Sequence, residues 1–267
     1  MTLLPFDVLD HIFGFLKYNP RSLLACSLSH PFFAQIVERY LYYHVIIPSA
    51  TSYQTDHRRG YRLESWRIIK LLSEAPKVVD HVCILELSLR FLKGGLRSFE
   101  VIAPILSKFH ALRCLRLTSP TSEDIWWQDV VPLCFRTALE DCLRLPTLQE
   151  VHINYIHFPI FVLNDIPNIT RLSISHSLET LVCSKSPFPQ LESLSLYHID
   201  SKYRPYLIAW GKHHIAKLRS LTCDYSDENF VLELVRICSD SLESLDISMV
   251  PPSGSELPSH VWNLKSS

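Results

Sequence analysis

The chain has 267 residues, a formal net charge of −1 and 47% apolar residues, enough to bury a full core as one elongated domain or two compact ones. So balanced a charge gives no footprint for nucleic acid or an anionic membrane surface, and the apolar fraction excludes a disordered chain. No apolar run approaches the roughly 20 residues that span a bilayer. Asp7, Asp10 and His11 interrupt the N-terminal apolar stretch and no basic residue precedes it, so no signal peptide is expected and the expected location is cytoplasmic or nuclear.

Residues 1–47 read as three short helices. The first runs Pro5–Leu16 within "LPFDVLDHIFGFL", where Asp7, Asp10, His11 and Gly14 form one narrow stripe and every other position is Leu, Pro, Phe, Val or Ile. A three-helix unit this small cannot cover such a helix from all sides, so part of its apolar surface reads as an interface and the stripe as the side left to water. The second helix starts around Pro20 and runs through "RSLLACSLS". The third begins near Pro31 and carries Phe32, Phe33, Ile36, Val37, Tyr40 and Leu41 at helical spacing, with Pro48 ending the unit.

Residues 48–63 are polar and unperiodic, which predicts a linker. A helix follows in "ESWRIIKLLSEAP", with Trp66, Ile68, Ile69 and Leu72 inward and a stop at Pro76. From residue 64 to 250 the chain is then dominated by a repeat, and residues 251–267 read as a Pro/Ser-rich tail.

The repeated unit begins at residues 82, 112, 148, 169, 191, 218 and 242, as in "LESLSL" at 191 and "LESLDI" at 242. The spacings are 30, 36, 21, 22, 27 and 24 residues. Its fourth position is always Leu or Val, whereas positions three, five and seven are almost all polar or small. That alternation predicts seven strands, each with one face buried. Helical patterns follow the first, second, fifth and sixth units, in "SFEVIAPILSKFHA", "VPLCFRTALEDCLRL", "RPYLIAWGKHHIAKL" and "ENFVLELVRICSDS". A strand with a return helix at this period is the signature of a leucine-rich-repeat solenoid. The ninth position carries no Asn or Cys ladder, so an irregular solenoid is expected, and "SLETLVC" at 177–183 reads as an additional incomplete unit.

The 8 cysteines follow no C-x-x-C spacing and lie mostly within apolar patterns, as buried reduced thiols do. No phosphate loop, nucleophile elbow, zincin motif or dinucleotide fingerprint occurs, so neither catalysis nor a cofactor is expected. His213 and His214 are adjacent on a predicted helix, about 100° apart, and make a poor metal pair. "DYSDE" at 224–228 lacks the Gly and terminal Glu of a calcium loop and reads as a solvated repeat edge. Trp126 and Trp127, between the second and third units, read as core or rim packing. On the predicted strand face, Arg116, His152, Arg171, Tyr197, Asp224 and Asp246 are chemically mixed, as a protein-recognition surface is, and form no basic stripe.

The N-terminal residues resemble the F-box, most closely its fungal form. Leu4, Pro5, Asp7, Val8, Leu9, Ile12, Phe13 and Leu16 match the first block of that motif. Leu23, Leu24, Cys26, Ser27, Leu28 and Phe32 match the second, while Ser29, His30 and Pro31 depart from the usual Val-Cys-Arg-like sequence. The resemblance covers residues 3–47 sharply and 64–250 by architecture. It implies an α/β protein in which a three-helix F-box precedes about seven strand–helix repeats. It further implies the non-catalytic substrate receptor of an SCF-type ubiquitin ligase, acting by proximity. Its partners would be a Skp-type adaptor and, through it, a cullin, together with a protein substrate. The expected adaptor contacts are Leu4, Pro5, Val8, Leu9, Ile12, Phe13, Leu16, Leu24 and Leu28, and the expected substrate contacts are the six strand-face residues. A scaffold that binds the adaptor without ubiquitylation remains the alternative reading.

Overall fold

The computed structural model describes residues 4–47, 65–89, 96–119, 125–126, 131–159, 162, 166, 168–175, 178–179, 191–224, 227–248 and 260–263. The expected linker at 48–63, Trp127 and Cys183 lie outside the described residues, as do the side chains of Trp66, Ile68, Ile69 and Trp126. The fold is mixed α/β, with mostly parallel strands and 9 α-helices among the described residues. No helix among them is long and apolar enough to cross a membrane. They fall into two compact units, Met1–Arg116 with Pro132–Thr147 and Leu117–Val131 with Leu148–Ser267.

The first unit opens with α1 (Phe6–Phe15), α2 (Pro20–Ser29) and α3 (Pro31–Leu41). Each start has a local cause. Pro5 precedes α1. Asn19 caps α2 by accepting from the Ser22 N–H at 3.2 Å, with Pro20 in the first turn, where a missing N–H costs nothing. His30 Nδ1 accepts from the Phe32 N–H at 3.1 Å ahead of Pro31. The Ser-His-Pro sequence is therefore a helix start in its own right. Leu9, Phe13, Leu23, Ile36 and Val37 form the core of the three helices, with Leu16, Cys26, Phe32, Phe33, Tyr40 and Leu41 packed around it.

Directly after α3 the chain forms β1 (His44–Ile47), a strand the sequence reading does not contain. It runs parallel to β2 (Ile84–Ser88), with Val45 opposite Leu85 and Ile47 opposite Leu87. Between them lie α4 (Ser65–Glu74), where Leu72 is buried as expected, and α5 (Pro76–Val79). Pro76 both ends the predicted helix and begins the next, in keeping with its fixed φ. The unit is completed by α6 (Leu96–Leu106), the start of β3 (Cys114–Thr118) and α7 (Leu133–Leu143), which packs on α6.

In the second unit β5 (Glu150–Asn154), β7 (Arg171–Ser175), β9 (Ser193–Tyr197), β10 (Ser220–Asp224) and β11 (Ser244–Ser248) form consecutive parallel pairs. All seven predicted strands are present; six of them bury both expected apolar positions, whereas Leu245 and Ile247 on β11 are half-buried. Leu85, Leu87, Leu115, Leu117, Val151, Ile153, Leu172, Ile174, Leu194, Leu196, Leu221 and Cys223 are buried. A helix follows β9, namely α8 (Arg204–His214), and another follows β10, namely α9 (Glu228–Cys238). In the 21- and 22-residue spacings around β7 the described residues hold short strands, β6 (Ile156–Pro159) and β8 (Leu178–Glu179). With β4 (Ile125–Trp126), which precedes α7, they form a small parallel sheet. β8 is the described part of the expected incomplete unit. Within the expected tail, β12 (His260–Asn263) pairs antiparallel with β11, so that stretch carries a sheet strand.

Cys114, Cys142, Cys223 and Cys238 are buried, Cys26 and Cys83 are half-buried, and Cys134 is exposed. Burial pushes the thiols of Cys142 and Cys223 up to about 12 and that of Cys238 to about 11, which suppresses the reactive thiolate. Native-state alkylation at pH 8 with peptide mass spectrometry is expected to label Cys134 first among the described cysteines. Cys142 and Cys223 should stay unlabelled until the chain unfolds; early labelling of either would contradict this core.

Candidate functional site

Two surfaces carry the sequence-predicted residues, one in each unit. The first lies on α1 and α2. Val8, Ile12 and Phe15 are separated by four and three residues and so share one line on α1, and Leu4 lies just ahead of the helix. Leu4, Val8, Ile12 and Phe15 are 53%, 43%, 42% and 76% exposed, and Leu28 on α2 is 80% exposed. Pro5 is exposed and Leu16 and Leu24 are half-buried. A single exposed aliphatic residue is ordinary, but three in line on one short helix, with Leu4 exposed just ahead of it, are the kind of patch that marks an interaction site.

Leu9 and Phe13 belong to a different stripe of α1. They are only 5% and 3% exposed, and Phe13 meets Phe33 edge-on at 5.6 Å. These two expected adaptor contacts are corrected, because they fill the core of the three-helix unit and present nothing to a partner. The polar stripe divides in the same way. Asp7 and His11 are exposed, but Asp10 is tied to α3, accepting from the Tyr40 hydroxyl at 2.6 Å and pairing with the Arg39 guanidinium. Asp10 therefore holds α1 in place and is not simply left to water. Phe15 was missed by the motif match, although its i+3 spacing from Ile12 was visible; the His11 ring packs edge-on against it at 4.7 Å.

The second surface is the polar face of the strands in the second unit. The register sets it out as rows across neighbouring strands. His152, Ser173, Ser195, Thr222 and Asp246 make one row, and Glu150, Arg171, Ser193, Ser220 and Ser244 the next. At one end Glu150 meets His152 Nε2 at 2.6 Å and Arg171 Nη1 at 4.0 Å. The Arg171 side chain is 68% exposed, so the pair with Glu150 contributes little. Tyr197, on the central strand β9, and Asp246, on β11, are half-buried. The structure thus brings His152, Arg171, Tyr197 and Asp246 onto one face, adding Glu150. Arg116 lies half-buried on β3 within the first unit.

Asp224 is corrected. Its side chain is 4% accessible, and its Oδ2 accepts the His198 backbone N–H at 2.6 Å and lies 3.3 Å from His198 Nδ1. The turns that leave the strands explain this. The residue after the strand donates to the neighbouring repeat, Ser119 to the Asn154 carbonyl and Tyr155 to the Ser175 carbonyl, each at 3.0 Å. At His198 the Asp224 carboxylate accepts instead. Tyr155 and His198 share a left-handed backbone, with φ of 59° and 52°, which turns the N–H toward the next repeat. These bonds replace the missing Asn ladder. Asp224→Ala leaves the His198 N–H without this acceptor and is expected to cost about 1–3 kcal/mol in urea unfolding; an unchanged midpoint would refute the role.

Asp227, another carboxylate expected at a solvated edge, caps α9 by accepting from the Asn229 and Phe230 N–H groups and pairs with Arg204 at 2.6 Å. The Phe230 N–H and the Arg204 guanidinium hold its pKa below the usual carboxylate range. His213 is exposed while His214 is buried and stacked on Trp210 at 5.0 Å, and the two imidazoles meet only edge-on, with centroids 6.4 Å apart.

No family model and no curated protein matches the chain. What the site does therefore rests on its own chemistry, namely an apolar row on a small helical unit and a mixed polar face on a repeated sheet.

Proposed function

We propose that the chain is the substrate-recognition subunit of an SCF-type E3 ubiquitin ligase. In this reading residues 1–47 are an F-box that docks on a Skp-type adaptor, and the strand repeats are leucine-rich repeats that hold a protein substrate. The observation that carries it is the exposed row Val8, Ile12 and Phe15, with Leu4 just ahead of it, on a helix whose own core side is already filled by Leu9 and Phe13. An apolar row that its own unit does not cover gains free energy when a partner removes it from water, about 25 cal/mol per Å². The chain itself performs no chemistry in this scheme. It raises the effective concentration of substrate at the ubiquitin-charged enzyme.

Reconstitution tests it. The chain, co-expressed with a fungal Skp-type adaptor, is expected to co-purify with it as a stoichiometric complex. Addition of cullin, RING subunit and charged conjugating enzyme is expected to transfer ubiquitin to a protein captured by the repeats. No adaptor binding would sink the proposal, and binding without transfer to any captured protein would reduce it to a scaffold.

A further inference from the structure

We propose that the strand face around Asp246 in the second unit binds a lysine or arginine side chain of a peptide segment. This deepens the receptor reading by naming a substrate class, and in that sense rests on it. Asp246 is the only charged residue in its half of the row, after Ser173, Ser195 and Thr222. Its Oδ1 is shut off from water and has no hydrogen-bond partner among the described residues, while the residue as a whole is half-buried. A carboxylate that has lost hydration on one oxygen without gaining a donor is destabilised, and an incoming cation offsets that cost.

The surroundings suit such a side chain. Ser195, Thr222 and Ser244 place small hydroxyl side chains on the same face of the neighbouring strands and next to Asp246 along its own strand. Tyr197 stands on the same face. Burial, reinforced by the Asp246 carboxylate, raises its pKa, so the phenol stays neutral, and its ring can cover an aliphatic stem or face a cation. The cations of this face lie elsewhere, since Arg171 and His152 are grouped with Glu150 at β5 and β7. By charge, then, the Asp246 end accepts a basic group and disfavours an acidic one.

The test uses the immobilised full chain and three pools of degenerate octapeptides with the central residue fixed as Lys/Arg, Ala or Glu. The Lys/Arg pool is expected to be retained about fivefold over the Ala pool, with the Glu pool lowest. Asp246→Asn, close to isosteric, should abolish the preference at an unchanged melting temperature, and Asp246→Lys should invert it toward Glu. No basic preference in the wild-type chain, or one that survives Asp246→Asn, overturns the proposal. Adaptor capture through α1 is measured separately on the same preparations, so loss of the receptor reading and loss of this site give different results.

Discussion

Val8→Asp combined with Ile12→Asp is expected to abolish capture of a Skp-type adaptor, with affinity falling at least about 100-fold. Each aliphatic side chain contributes roughly 1.5–3 kcal/mol when fully buried, and a carboxylate in its place must be desolvated without a partner. Both side chains are more than two-fifths exposed in the free chain, so the same change should leave thermal unfolding nearly untouched. Isothermal titration with the adaptor and a melting curve on the same sample check both halves. Full adaptor affinity in the double variant would remove this face from the proposed function, and collapse of the fold would show that the face packs against its own chain.

Phe13→Ala has the opposite profile. The ring is buried among Leu9, Leu23, Ile36 and Val37, and emptying that space is expected to cost about 3–5 kcal/mol. Any loss of adaptor binding would then follow from loss of the helices. Urea unfolding followed by far-UV circular dichroism measures it, and a cost below about 1 kcal/mol would contradict the packing described. Leu9→Asp belongs with Phe13→Ala, because it buries a charge in the same core. An aspartate at Leu9 cannot probe the interface, and Val8 and Ile12 can. Comparing the two variants separates docking from folding, which the motif match alone does not.

Much of the architecture was legible in the chain. Period-two alternation located seven strands to the residue, because a strand with one buried face must place apolar side chains at every second position. Pro20 and Pro31 located the starts of α2 and α3, and the caps Asn19 and His30 emerged only in the structure. β1 was not legible: "HVII" directly follows a helix, is only four residues long, and becomes a strand by pairing with β2, some forty residues further on. The mixed face was read as six recognition residues, yet a strand position shows only which way a side chain leaves the backbone. Asp224 leaves on the polar side like Asp246, but a left-handed turn at His198 brings an N–H onto its carboxylate.

The opening helix shows the same division. Its sequence alone determined that apolar surface wraps most of α1, since thirteen residues with three charged or imidazole groups allow nothing else. It could not say which apolar stripe would be consumed by folding, because Leu9 and Val8 are adjacent, chemically alike and equally expected by the motif. Packing decided that. Tyr40 and Arg39 on α3 fix the rotation of α1 through Asp10. That rotation turns Leu9 and Phe13 inward and leaves Leu4, Val8, Ile12 and Phe15 in water.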